Sequence, residues 1–175
     1  MSNYYDLDDI LADGEKVPCK FNITVPGLGY LQGNPGKPIE KDTKIELPFW
    51  LAEILAVCIV SDESQQSFID MIDPEFINSK VVNAIKSNPT SVDLHKLLPH
   101  YYKLIEKWCS MFSDEQLIDN VMNMLKERSF EINSFANNVN KQVNSEFIYT
   151  LDEFEKKLFK QTSESNKLMR NWLKE

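Results

Sequence analysis

No glycine follows residue 36 in this chain of 175 residues; Gly14, Gly27, Gly29, Gly33 and Gly36 are the full set. Four of the eight prolines, Pro18, Pro26, Pro35 and Pro38, crowd the same region. Glycine and proline supply turns and break helices, so residues 1–45 are excluded from forming one regular helix, and the remainder is free to be largely helical. Cysteine is scarce: Cys19, Cys58 and Cys109 are odd in number, far apart and form no C-x-x-C pair. That excludes a disulfide framework and fits a reducing compartment, each thiol serving as a small hydrophobe. Positive charge is short as well, with 19 Lys and Arg against 27 Asp and Glu, a net charge of −8. A free-standing nucleic-acid binder carries the opposite balance, so autonomous nucleic-acid binding is not expected, although a local basic strip within an assembly stays open. Long apolar runs are missing too. The longest, Leu47 to Val60, contains Glu53 and falls short of the ~20 residues that span a bilayer. The acidic start, Met1 to Asp13, lacks a signal peptide's basic and apolar regions. The expectation is a soluble, intracellular chain with no membrane partner.

The length suits one medium domain, or a helical domain with a small appendage. The fold class expected is mainly α: a small β-rich module with a short N-terminal helix over residues 1–45, then a helical domain over 46–175. In the front module, Tyr4 to Leu11 predicts a short helix, with Asp6, Asp8 and Asp9 placed for its N-terminal turn. Phe21, Ile23 and Val25 alternate with polar residues, which is strand periodicity. Pro26-Gly27 predicts a turn, and Tyr30-Leu31 and Lys44 to Leu47 predict further short strands.

Behind the boundary, Pro48 suits a first helical turn. Trp50, Leu51, Ile54, Leu55, Cys58 and Ile59 recur at helical spacing, with Ala52, Ala56 and Val57 on other faces; a helix apolar nearly all round is expected to be buried nearly all round. Ser61 to Pro74 reads as irregular. Glu75 to Lys86 predicts a second helix ended by Asn88-Pro89, and Pro99 opens a third carrying Tyr102, Ile105, Trp108, Cys109 and Phe112. Ser113 with Gln116 has the spacing of a capping box for a long fourth helix bearing Leu117, Val121, Met124, Leu125, Ile132 and Phe135. Asn137 to Asn144 reads as fraying or loop. A fifth helix carries Phe147, Leu151, Phe154 and Leu158, and a sixth carries Leu168, Met169, Trp172 and Leu173.

Catalysis needs convergent groups, and metal sites need ligands at defined spacing; neither pattern is present, so no catalytic, metal or cofactor residue is assigned. His95 and His100 are five apart, not the i, i+4 of two ligands on one helix face, and Pro99 stands between them. Asp93 reads as a local cap or turn acceptor. Gly27-Leu28-Gly29 matches part of a dinucleotide loop, but Gln32 replaces its third glycine and no long helix follows; a turn is the simpler reading. Asp8-Asp9 and Asp152-Glu153 are sequence neighbours that diverge by about 100° on a helix, as on a solvated acidic face. Trp50, Trp108 and Trp172 each fall on an apolar helix side, where core packing and an interface anchor are both open readings.

Four segments carry a family resemblance. They are Tyr4-Tyr5-Asp6-Leu7-Asp8-Asp9-Ile10-Leu11-Ala12; Pro18-Cys19-Lys20-Phe21 with Val25-Pro26-Gly27-Leu28-Gly29-Tyr30-Leu31; Lys44-Ile45-Glu46-Leu47-Pro48-Phe49-Trp50-Leu51-Ala52; and Val92-Asp93-Leu94-His95-Lys96 with Pro99-His100-Tyr101-Tyr102. In this order they resemble the third Psf subunit type of the eukaryotic GINS complex, most like fungal members. Residues 61–74 and 137–144 have no matching motif.

The resemblance implies a heterotetramer of related subunits, each with a helical A domain and a small β-rich B domain, the B domain coming first in this type. It implies no catalytic site and no cofactor. The implied partners are three sister subunits, the Mcm helicase ring with its other activator, and indirectly a replicative polymerase, all in the nucleus. On that reading Trp50, Leu51, Ile54, Leu94, Tyr101, Tyr102 and Trp108 are candidate interface residues, on faces shared between the subunit's core and its sisters. The chain expressed alone is then expected to aggregate or fold poorly. The alternative is a stand-alone helical domain with a small-ligand or enzymatic role, which needs a pocket with convergent polar groups.

Overall fold

The structure is a computed structural model, and it describes residues 5–60, 66–137 and 146–174. The chain divides into two compact units, residues 1–75 and 76–175. Sequence reading put the boundary at 45/46. Strand β2 (Lys44–Pro48) straddles that point and pairs with β1 (Lys16–Phe21) from Lys16 to Lys20, so the chain continues in the first unit.

The first unit opens with α1 (Leu7–Gly14), where the Asp6 carboxylate accepts the Asp8 N–H at 3.2 Å. β1 is the centre of a three-stranded antiparallel sheet in the order β2-β1-β3, with β3 at Ile69–Met71. Cys19 sits opposite Ile45 on one side and Met71 on the other. Pro18 is tolerated within this central strand because its carbonyl points toward β3, accepting from Ile72 N–H, so the imino nitrogen falls on that side too; no β2 bond is lost, and the β3 ladder begins only at Cys19. Val17, Cys19 and Phe21 point inward and join Ala12, Ile39, Leu47, Phe49, Ala52 and Ile69 in the core. Alternation was expected at Phe21, Ile23 and Val25; it lies at Val17, Cys19 and Phe21, and the strand ends at Phe21.

Pro26-Gly27 does turn the chain, Gly27 adopting φ 82°. Tyr30-Leu31, expected as a strand, belongs to a 3-10 helix, Leu28–Gln32. The cause is Gly29. Its N–H donates to Lys37 O and its carbonyl accepts from Asn34 N–H, each at 2.9 Å, curling the backbone so tightly that an added Cβ would lie 2.3 Å from Lys37 O.

Helix α2 (Phe49–Val57) follows β2, with Pro48 as its N-cap residue. It is not buried all round: only Phe49 and Ala52 are fully buried, while Trp50, Ile54 and Val57 are exposed. The segment read as irregular, 61–74, contributes β3.

The second unit is helical. The chain enters it through a 3-10 turn, Glu75–Ile77, and α3 (Ser79–Ser87) then starts on Asn78, whose side chain caps Lys80 N–H. A 3-10 turn at Pro89–Ser91 leads to the short α4 (Leu94–Leu97), capped by Asp93 through Lys96 N–H at 2.9 Å. α5 (Tyr101–Phe112) and α6 (Glu115–Asn137) form a helical hairpin. Ser113 ends α5 in the left-handed region, and it is Asp114, not Ser113, that caps α6 by accepting Leu117 N–H at 3.0 Å. Residues 138–144 of the expected Asn-rich loop lie outside the described residues. α7 (Glu146–Tyr149) precedes α8 (Glu153–Trp172). The two helices expected over Phe147 to Leu173 are therefore arranged differently, broken at Thr150 to Asp152 and continuous from Glu153 to Trp172; no glycine or proline interrupts the polar stretch between Leu158 and Leu168. The core holds Leu94, Tyr101, Leu104, Ile105, Trp108, Met124 and Ile132, with Phe76 edge-on to Trp108 at 6.3 Å.

Candidate subunit interface and a buried polar cluster

The most unusual chemistry of the second unit is sealed inside it. Arg128 on α6 and Glu155 on α8 are both fully buried. Arg128 Nε donates to Glu155 Oε1 at 2.7 Å and Nη2 to Oε2 at 2.9 Å, a bidentate pair. Nη1 donates to the carbonyls of Pro89 and Val92 at 3.0 and 2.9 Å, and Nη2 also reaches Thr150 O at 3.3 Å. All five guanidinium N–H groups thus have acceptors, and the Phe147 ring lies 5.0 Å from the guanidinium carbon. Tyr102 O–H donates to Glu155 Oε1 at 2.8 Å.

Asp152 completes the cluster. Its carboxylate accepts Glu155 N–H at 2.8 Å and Tyr102 N–H at 3.5 Å, and Glu155 reaches back to Asp152 N–H, the reciprocal capping box at the start of α8. Burial pushes the Asp152 carboxyl up to about 7, and burial also raises the Tyr102 phenol, with the Glu155 charge adding to it. The expected solvated acidic face at Asp152-Glu153 is corrected at Asp152, which is wholly enclosed. Periodicity missed Arg128 and Glu155 because charged residues are assigned to surfaces by default; the D-x-x-E spacing of Asp152 and Glu155 was the available signal. The groups of this cluster bond to one another and to backbone. They tie the 3-10 turn at Pro89, α4, α5, α6 and α8 together, and leave no donor aimed at a substrate.

Large apolar side chains stand exposed on the surface instead. On α2, Trp50, Ile54 and Val57 follow at i, i+4 and i+7 and are 49%, 55% and 70% exposed, with Leu51 half-buried. The remaining sequence candidates separate by burial. Leu94, Tyr101 and Trp108 are core residues, and Tyr102 is half-buried with its hydroxyl committed to Glu155. Between α5, α6 and Phe154 at the start of α8 lies a groove of about 520 Å³, lined by Tyr102, Ile105, Cys109, Ile118, Val121 and Met122 among others. Its charged rim residues, Lys103 and Glu106, approach each other at 3.7 Å. His95 Nδ1 lies 3.1 Å from Lys156 Nζ. Among the described residues no group of three or more His, Cys, Asp or Glu is placed to hold a metal ion, and no helix is long and apolar enough to cross a membrane.

A helical bundle preceded by a small antiparallel-sheet unit is the class this architecture defines. Residues 5–57 match the family described as the PSF3 N-terminal domain, and residues 76–174 match the GINS complex protein helical bundle domain. The chain is 71% identical over 174 residues to the DNA replication complex GINS protein PSF3 of Debaryomyces hansenii, covering 99% of both chains. It is 64% identical to the Candida albicans protein of the same name, covering 99% of this chain and 98% of that one, and 39% identical to that of Saccharomyces cerevisiae, covering 97% of each. The chain belongs to the PSF3 family of DNA replication complex GINS proteins, the family to which its four ordered motifs pointed.

Proposed function

We propose that this chain is a non-catalytic scaffold subunit of a heterotetrameric GINS complex in the nucleus, where the complex joins the Mcm ring and its other activator to form the working replicative helicase. Contact with a replicative polymerase is indirect. The first unit takes the role of the B domain and the second that of the A domain. The observation that carries the reading is the Trp50–Ile54–Val57 row: a regular apolar stripe left exposed on a helix that buries only Phe49 and Ala52 fully. Stripes of this kind are covered in obligate assemblies, whose interfaces are large and apolar. The sealed Arg128–Glu155 cluster supports the same reading, since a scaffold needs a fixed helix arrangement rather than a reactive group.

Co-expression with three candidate sister subunits, followed by native mass measurement, tests this. A 1:1:1:1 species is expected, with the chain alone poorly soluble because partner binding contributes to its stability. A stable, monodisperse monomer that ignores the other three would overturn the proposal.

A further inference from the structure

We propose that the last two turns of α8, with Leu173 and Lys174 just beyond its end, are a docking segment that lies in a groove on another protein chain, with an apolar floor and an acidic rim. The proposal deepens the assembly reading above and rests on it. The only fully buried residue of α8 is Glu155. Leu158 and Thr162, one and two turns on, are half-buried on the same face. That face continues through Met169 and Leu173, which are 54% and 68% exposed, and Leu168 and Trp172, each about 100° round the helix from its neighbour, widen the strip at 70% and 73% exposed. Four large apolar side chains therefore collect where the chain's own core no longer covers the helix.

The charge around them reverses the chain's balance. No acidic residue occurs between Ser165 and Lys174, whereas Lys167, Arg170 and Lys174 recur at i, i+3 and i+7, in one row alongside the apolar strip. In a protein of net charge −8, this local positive row selects a partner with negative rim charge. Arg170 Nη2 also donates to Asn137 O at 2.7 Å, which holds the end of α8 to the end of α6 and pre-forms the helix before docking. Tryptophan and arginine are the side chains most enriched at interface hot spots. A nucleic acid would use the cations and leave the strip wet. An anionic bilayer calls for a cluster of about 4–8 basic residues, more than this row offers.

The test uses the full chain co-expressed with its candidate partner subunits. Hydrogen exchange of the amides of residues 166–174 is expected to slow on assembly. Leu168→Ala with Trp172→Ala should weaken association roughly tenfold or more. Lys167→Glu with Lys174→Glu should weaken it more at low salt than at high salt. If the double variants lose helix signal, the exchange measurement on the unmodified chain decides. Assembly without added protection, or double variants that associate normally at every salt concentration, overturns the docking segment and leaves the assembly reading standing. An unmodified chain that fails to assemble overturns both. Protection that appears with a DNA duplex or phosphatidylserine vesicles instead of the partner subunits also overturns it.

Discussion

Replacing Arg128 by methionine removes the charge from a site with no solvent. Glu155 would keep the Tyr102 hydroxyl at 2.8 Å and the Asp152 amide at 3.4 Å but lose its only bidentate cation. Leaving one member of a buried pair without the other costs about 3–5 kcal/mol. The carbonyls of Pro89 and Val92 lose donors as well, each such loss being worth about 1–3 kcal/mol when the group stays dry, whereas Thr150 O keeps the Leu94 and His95 N–H groups. These effects share one cavity and do not add, so the expected loss for Arg128→Met is about 4 kcal/mol. That is a large part of the ~5–15 kcal/mol that holds a domain. The double variant Arg128→Met with Glu155→Gln removes the stranded charge while its amide oxygen still accepts the Tyr102 hydroxyl proton, which leaves chiefly the carbonyl penalty, about 1–3 kcal/mol. It should therefore be more stable than the single variant. Urea titration of the co-expressed complex, followed by hydrogen exchange of the α6 and α8 amides, gives the order and shows whether α8 opens first. A single-variant cost below about 1 kcal/mol, or a double variant less stable than Arg128→Met, would refute the buried-pair argument.

Asp152 gives a pH signature. Its folded carboxyl titrates near 7, against an ordinary value of 3.8, so the native state holds the extra proton between those values. This group's contribution is full below about 4 and lost as pH rises through about 7; Asp152→Asn should flatten the fall in urea midpoint between pH 5 and pH 8. Gly29→Ala drives a methyl group into the carbonyls of Lys37 and Asn34, an overpacking cost of about 1–3 kcal/mol, seen as faster proteolysis between residues 27 and 39. Trp50 and Trp108 should separate cleanly. Trp108→Ala, in the core, should cost about 3–5 kcal/mol, whereas Trp50→Ala, half-exposed, should cost under about 2 kcal/mol in melting while abolishing co-purification with the sister subunits.

The glycine partition made the sheet-bearing front and the helical remainder legible, and 3.6-residue periodicity located α3, α5 and α6. It could not assign α2 a buried face, because Trp50, Ile54 and Val57 carry the same apolar signal whether a core or another chain covers them. β3 escaped because three residues, Ile69, Asp70 and Met71, are too few for alternation to register. The Arg128 cluster escaped for a different reason. Its acceptors, at Pro89, Val92, Thr150 and Glu155, lie 22 to 39 residues away in the chain, so nothing local to Arg128 announces them.

α8 joins these two blind spots. Its sequence reads as two apolar patches separated by polar residues, which invites a break; the structure makes it one helix with a polar anchor at its start and apolar side chains at its end. The anchor specifies direction and register through ion-pair and cap geometry, but a buried ion pair contributes little net stability compared with apolar packing. Leu168, Met169, Trp172 and Leu173 hold the larger reserve, about 1.5–3 kcal/mol for each side chain that becomes fully buried. They are 54–73% exposed, so covering them together would gain several kcal/mol, part of which offsets the cost of association. A helix aimed by its own chain and left apolar where that chain no longer covers it has the division of labour expected of a subunit that completes its packing on assembly.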